Sequence, residues 1–463
     1  MTVTTQEFPK AFAVWFKDLE RWDVSSFQQI AWHWAKEVMA PLGSVLQMRK
    51  EKVDRSKVDF SELQPITIHF DGSIDPRNVD ANRAYTMELF YAHSGDIVVS
   101  KIDLKNGAVG IVPEELSDVV VTNHFAVYEP DLEKLLPDYF QLIIQAKFFK
   151  THLWRNKVGA EGRKEVKLDF FEALEIPLPQ IAIQRAIVDR WQTAQAKLKA
   201  ADQRVEALRA NINAQFFKDL GLNPPVPTDY PKVFAVWWED LLRWSVSYNQ
   251  AAQSGEDITQ GSYPVVELGS CLKVVQYGTS EKANSNNEGV AILRINNIKE
   301  RKLDVSNLKH IKLPQKTQKG LLLEDGDILI IRTSGSRDLV GTCAVFHEEG
   351  NYVFASYLIR LRTDREKADA DFVSWFINSS LGRQQVDAIS RQIMQNNINS
   401  EEIQSLQIPL PPLDVQKAIM QRVEVGRQAI AREREAADRK KQEIEAEIEA
   451  LILGTQAIEV MEA

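Results

Sequence analysis

A chain of 463 residues exceeds what one hydrophobic core organises, so two or three domains are expected. Its 44% hydrophobic and 26% charged residues describe an ordinary globular protein, and no apolar run approaches a bilayer span of roughly 18 residues. The net charge of −9 is opposite in sign to that of a basic nucleic-acid-binding domain, yet six Glu and no Lys or Arg fall between Gln442 and Ala463, so the total does not decide the matter.

Met1 to Glu7 lack the basic-then-apolar pattern of a secretory leader, and Cys271 and Cys343 make no disulfide framework. Two thiols in a reducing cytoplasm are the expectation. In chain order, Pro9 to Ser25 reads PKAFAVWFKDLERWDVS, with Trp15 and Trp22 seven apart on one helical face. A basic cluster follows at Arg49, Lys50, Lys52, Arg55 and Lys57. Gly95-Asp96 then leads into an apolar run, Ile97 to Ile102, that predicts a buried strand entered through a turn. Val119 to Val121 predicts another strand, and Asp138 to Gln145 a helix capped by its Asp.

After Ile176-Pro177-Leu178-Pro179 a helical pattern runs to Gly221. Trp191, Ala194, Leu198, Ala201, Val205, Leu208 and Ile212 recur in steps of three and four, an a/d seam that packs along another helix. Asn223-Pro224-Pro225-Val226-Pro227 cannot be helix interior and reads as a linker.

From there the chain repeats itself. Pro231 to Ser247 reads PKVFAVWWEDLLRWSVS, identical to the first copy at twelve of seventeen positions, Trp237 and Trp244 included. Leu268-Gly269-Ser270 answers Leu42-Gly43-Ser44, Gly326-Asp327 with Ile328 to Ile331 answers the first Gly-Asp strand, and Asp371 to Asn378 answers the first capped helix. Tyr352 to Phe354 suggests a further strand. Ile408-Pro409-Leu410-Pro411 with Val415-Gln416-Lys417-Ala418-Ile419 mirrors the earlier box and its Ile183-Gln184-Arg185-Ala186-Ile187. The offset drifts from 222 to 232 residues, so the second copy carries short insertions. The identical tryptophans are expected in each globule's core.

In the last helix, Val423, Ile430, Ala437, Ile444 and Leu451 keep strict seven-residue spacing, but Gly426, Glu433, Lys440 and Glu447 give a poor second half of the seam. A lone helix of that kind is unstable in water. The expectation is therefore antiparallel pairing with the first long helix, whose roughly 55 Å would act as a strut between globules at its ends. The fold class expected is mixed α/β globules in two diverged copies, joined and spaced by two long antiparallel coiled-coil helices. The expected divisions are 1–178 for the first globule, 179–222 for the central helix, 223–411 for the second globule, and 412–463 for the C-terminal helix with its acidic tail.

This layout resembles the specificity subunit of type I restriction–modification systems, on the strength of the two Ile-Pro-Leu-Pro boxes, the paired Gly-Asp strands, the duplication, and Gln276-Tyr277-Gly278-Thr279-Ser280. The resemblance implies two target recognition domains, each reading one half of a split, asymmetric DNA sequence. It implies helices that set the half-site spacing and dock two methyltransferase subunits. Those partners would bind S-adenosylmethionine and methylate adenine, while restriction and translocase subunits would use ATP and Mg. The chain itself would do no chemistry and touch no membrane. A coiled-coil scaffold whose globules bind proteins is the alternative, and a nuclease or methyltransferase acting alone is a third reading.

The sequence offers little catalytic machinery. Asn223-Pro224-Pro225 lacks the aromatic that would stack on a flipped adenine, since Val226 stands there. Asp138 with Glu165-Val166-Lys167 superficially resembles a metal-dependent nuclease, but the second copy answers with Asn397-Ile398-Asn399. His347-Glu348 has Asn351 where a zinc protease needs His, and no phosphate-binding loop exists.

DNA contact requires Lys or Arg for phosphates and forked or planar donors for bases. The candidates are Arg49, Lys50 and Lys52 in the basic cluster, Lys101 at the end of the first Gly-Asp strand, and Arg332, Ser334, Ser336 and Arg337 at the end of the second. Arg163-Lys164 pairs by position with Gln395-Asn396, a polar site that differs between copies as differing half-sites would need, and Tyr277 completes the set. The residues expected to pair the helices are Trp191, Leu198, Val205, Ile212, Val423, Ile430 and Ile444.

Overall fold

The computed structural model describes residues 30–54, 56–58, 63–77, 87–116, 118–158, 165–223, 235–238, 258–392 and 396–458. The chain folds into two compact units, Met1–Ala201 with Ala436–Ala463, and Asp202–Glu435. Among the described residues no helix is long and apolar enough to cross a membrane.

The first unit is built on a four-stranded antiparallel sheet in the order Leu46–Arg49, Phe125–Pro130, Ile97–Ser100, Val109–Ile111. The second unit repeats that order with Leu272–Tyr277, Leu358–Thr363, Asp327–Ile331 and Cys343–Val345. The apolar runs after Gly-Asp form the inner strands because they are buried on both faces. Ile97 and Val99 enter one core while Val98 enters another, and Ile328 and Ile330 part from Leu329 and Ile331 in the same way. Alternation along the strand thus feeds two cores at once. The first strand ends at Ser100, short of the expected Ile102, which is 47% exposed.

A second sheet follows in each unit. Gln64–Ile68 pairs parallel with Asp118–Thr122, as Val290–Leu293 does with Tyr352–Phe354. The first unit adds Leu89–His93 beyond Asp118–Thr122, whereas the second carries the helix Gln315–Leu321. This is one place where the copies have diverged.

The glycine of each Gly-Asp takes a left-handed conformation, φ +82° at Gly95 and +84° at Gly326, which suits the residue without a Cβ. The following carboxylate is buried. Asp96 accepts from its own turn at His93 N, 2.8 Å, and from Arg49 Nε, 2.8 Å. Asp327 accepts from Glu324 N, 2.8 Å, and is gripped by Arg362 through Nε and Nη2 at 2.7 and 2.8 Å. A buried carboxylate persists only when paired and hydrogen-bonded in this way.

The capped helices run Pro137–Gln145 and Ala370–Asn378. Their caps differ from expectation. Asp369 is the residue that caps the second, accepting from Phe372 N at 3.0 Å, and Asp371 lies inside the first turn. The first helix starts at Pro137 with Leu136 before it and has no side-chain cap, so Asp138 also lies within the turn. Of the four tryptophans expected in the cores, Trp237 is 78% exposed, and the other three lie outside the described residues. The linker from Pro224 to Pro227 lies outside them as well. Cys271 and Cys343 are free and buried, and burial pushes the Cys343 thiol up to about 11.

The boxes Ile176–Pro179 and Ile408–Pro411 are the joints between each globule and its helix. Glu175–Pro177 pairs antiparallel with Met39–Pro41, and Gln407–Pro409 with Val265–Glu267. One turn further on, a wholly buried glutamine clamps the joint in both copies. Gln184 accepts from Leu136 N at 2.9 Å and donates to the Lys134 and Pro179 carbonyls at 2.7 and 2.8 Å. Gln416 accepts from Asp369 N at 2.8 Å and donates to the Lys367 and Pro411 carbonyls at 3.0 and 2.7 Å.

The long helices run Ile181–Asp219 and Leu413–Leu453, and within each unit their segments lie antiparallel. In the first unit Arg190 Nε donates to Glu447 at 2.8 Å. In the second, Arg204 Nε donates to Glu433 at 2.6 Å and Arg422 Nη2 to Asp219 at 2.7 Å. Ala194 and Ile444 are buried in the first unit, Val205 and Val423 in the second, while Trp191, Leu198, Ile212 and Ile430 are half-buried. The positions that read as a poor half-seam thus have partners. Glu433 and Glu447 take arginines, and Gly426 admits Ile212 so closely that a Cβ there would meet Ile212 Cγ1 at 2.5 Å.

Candidate nucleic-acid interface

In each unit the inner strand ends beside a turn that presents polar side chains. Lys101 N donates to His124 O at 2.9 Å, and Lys101 Nζ reaches the Asn123 carbonyl at 2.8 Å. At the matching place Arg332 N donates to Tyr357 O at 3.0 Å. Asn123, His124 and Tyr357 are exposed. His124 and Tyr357 escaped the sequence reading because their neighbourhood depends on a turn between strands. The copy-to-copy alignment was the signal that could have found them.

The second unit gathers several sequence candidates at this strand exit. The Arg332 guanidinium lies 4.9 Å from the centre of the Tyr277 ring, a cation–π distance. Tyr277, 40% exposed, is fixed through its hydroxyl, which accepts from Ser400 N at 3.0 Å and lies 3.3 Å from Ser400 Oγ. Gly278 permits the approach, since a Cβ there would stand 2.3 Å from the carbonyl oxygens of Phe354 and Ala355. Arg332 Nε is buried with no hydrogen-bond partner among the described residues.

Beyond Arg332 the chain continues as Thr333–Ser334, which pairs antiparallel with Asn396–Asn397, so Ser334 stands opposite Asn396. That strand pairs in turn with Arg391–Gln392. Ser336 and Arg337 are exposed, and the Arg337 guanidinium donates to the Asp387 carbonyl at 3.4 Å. Gly335 has open space where a Cβ would be. In the first unit the corresponding crossing is the bridge Val158↔Glu165, which flanks the segment holding Arg163 and Lys164. Those two residues, with Arg55 and Gln395, lie outside the described residues.

The basic cluster of the first unit is placed differently. Arg49 is bound to Asp96 and stands 3.2 Å from Glu129 and 3.8 Å from Glu51; the Asp96 hydrogen bond chiefly raises its pKa. Its charge therefore serves the globule's interior. Lys52 pairs with Glu88 and Lys57 with Asp54, while Lys50 is exposed. Among the described residues no group of three or more His, Cys, Asp or Glu could hold a metal ion. His347, which opened an incomplete zinc motif, is bound to carboxylates: Nδ1 to Asp325 at 2.7 Å and Nε2 to Asp371 at 3.1 Å. The Asp371 hydrogen bond leads in raising its pKa to about 9.

The specificity subunit of type I restriction enzyme StySPI from Salmonella potsdam is 26% identical over 285 residues, covering 60% of this chain and 57% of that protein. The EcoKI specificity subunit from Escherichia coli strain K12 is 23% identical over 286 residues, with the same shares of 60% and 57%. This chain therefore spans less than two thirds of the length of either. A solved structure concerned with complex assembly and conformational transition of the type I R-M system is 18% identical, covers 90% of this chain and 98% of its own, and superposes with a TM-score of 0.54, a likeness of fold. A family model described as the type I restriction modification DNA specificity domain matches residues 42–208 and 262–445, one stretch for each copy. With more than half its length matched, the chain belongs to the type I restriction modification DNA specificity domain family.

Proposed function

We propose that this chain is the sequence-reading subunit of a type I system, each unit recognising one half of a bipartite double-stranded DNA target. In this reading it performs no chemistry. Two methyltransferase subunits modify adenine with S-adenosylmethionine, and restriction or translocase subunits use ATP and Mg. Within the second unit, the observation that carries the proposal is the strand exit where Arg332, with an orphaned Nε, stacks on the exposed Tyr277. Arginine is the residue best suited to bidentate reading of guanine, and an aromatic neighbour restricts its orientation. The equivalent Lys101 offers a point charge, a chemical difference suited to different half-sites.

The test is binding of duplex DNA carrying the target, measured by fluorescence anisotropy at fixed salt. Arg332→Ala is expected to weaken binding by about 1–3 kcal/mol, the range for one lost base contact. An unchanged Kd with the fold intact would remove Arg332 from the reading surface.

A further inference from the structure

In the second unit the hairpin of Ile298–Lys299 and Lys302–Leu303 turns through Glu300 at φ +47° and Arg301 at φ +64°. Two left-handed residues make the tight loop that Asn-Gly fills without strain, yet neither residue here is of that kind. Strain retained at a loop tip points to a side chain needed there. Glu300 is held by Arg434, whose Nη1 donates at 2.8 Å. Arg301 makes no hydrogen bond or ion pair among the described residues.

Arg301 borders a cavity of about 830 Å³ that Trp375, Arg427 and Lys302 also line, and the same four residues line a neighbouring cavity of about 570 Å³. Arg427 lies 5.5 Å from the centre of the Trp375 ring, and the Trp375 Nε1 donor is buried without a partner. In the larger cavity Glu206 is engaged by Arg209 at 2.9 Å and Glu300 by Arg434, which leaves Glu435 as the acid set against Arg301, Lys302 and Arg427; the smaller cavity is also lined by Glu348 and Glu424, and by Asp371, which pairs with His347. Desolvation, then the like charges of Arg383, Arg209 and Arg427, lowers the Arg301 pKa; desolvation also lowers that of Arg427. Two guanidiniums and an ammonium therefore line the larger cavity, where, among the described residues, Glu435 is the one carboxylate left without a partner.

We propose that this cavity binds a small phosphate ester of mononucleotide size, its phosphate taken by Arg301, Arg427 and Lys302. Forked guanidinium donors match phosphate oxygens bidentately. A cavity of this volume lies within the range of small-molecule sites and exceeds what a bare phosphate fills.

Calorimetric titration of the full chain with inorganic phosphate, AMP and a short DNA duplex tests the proposal. AMP is expected to bind in the micromolar-to-millimolar range and more tightly than phosphate. Arg427→Gln should weaken AMP about tenfold or more, as loss of a charged hydrogen bond does. Arg301→Gly is the discriminating variant: glycine accepts φ +64°, so the melting temperature should hold or rise while AMP affinity falls about tenfold. If Arg301→Gly lowers the melting temperature, Lys302→Gln at the exposed strand position replaces it, with affinity expected to fall about threefold. No heat with AMP up to roughly tenfold above the top of its expected range, saturation that these variants leave unaltered, or variant effects confined to duplex DNA would each overturn the proposal. The Arg332→Ala result is independent of all three outcomes, so this site and the DNA-reading surface stand or fall separately.

Discussion

At the scale of single residues, buried charge sorts the polar side chains into those that hold the fold and those free to meet a ligand. Asp327 is fully buried and faces two arginines, Arg362 and Arg360, the latter at 3.6 Å. Asp327→Ala should lower the unfolding free energy by about 3–5 kcal/mol in urea titrations, because it leaves buried guanidinium charge uncompensated. Asp96 and Arg49 form the matching pair, which is why a basic cluster conspicuous in the sequence contributes less free charge than its composition suggests. His347 gives a pH signature. Its pKa rises from an ordinary 6.5 to about 9 in the folded chain, chiefly through Asp371. The proton is held more tightly when folded, so its stabilisation is complete below about pH 6.5 and disappears as pH rises through about 9. Thermal melts between pH 6 and 10 should show that loss, and His347→Gln should flatten it; an unaltered slope would place the dependence on other groups.

Elements were legible where their pattern was local. The strands Ile97–Ser100 and Asp327–Ile331 were legible through the apolar runs Ile97 to Ile102 and Ile328 to Ile331, because a strand buried on both faces leaves a nearly continuous apolar run. The helix starts were harder: Asp369 and Asp371 are two apart, and only backbone geometry separates the cap from a first-turn acid that pairs with His347. The boxes were visible as repeats, but their action was not, because two of the three partners of Gln184 and of Gln416 lie 47 to 50 residues upstream. Gln416→Ala should cost about 1–3 kcal/mol for the first backbone group left unpaired, measured by urea denaturation, and Gln184→Ala a similar amount. A loss below roughly 0.5 kcal/mol would mean that water replaces the clamp. The last helix shows the opposite case, where half a seam looked deficient because the acids at its empty positions are answered by arginines on another helix.

At the scale of the whole molecule, duplication was the strongest signal, and both matched stretches of the family model follow it. The candidate site was legible only in part. Arg332, Ser334, Tyr277 and Asn396 were singled out from separate stretches, and strand pairing brings them to one exit, whereas His124 and Tyr357 became visible only through the turns that place them. If each unit reads its own half of a target, Lys101→Ala and Arg332→Ala should each relax the specificity of a different half. Mapping methylated adenines in cells carrying either variant with the partner subunits checks this. Relaxation of both halves by one variant would mean that the copies do not read independently. The doubly buried inner strand has an evolutionary corollary. A substitution within it must satisfy two interiors simultaneously, whereas the next position can exchange lysine for arginine without disturbing either. If Lys101 and Arg332 read DNA, new targets can arise by point changes at that one position while the strand behind it stays unchanged.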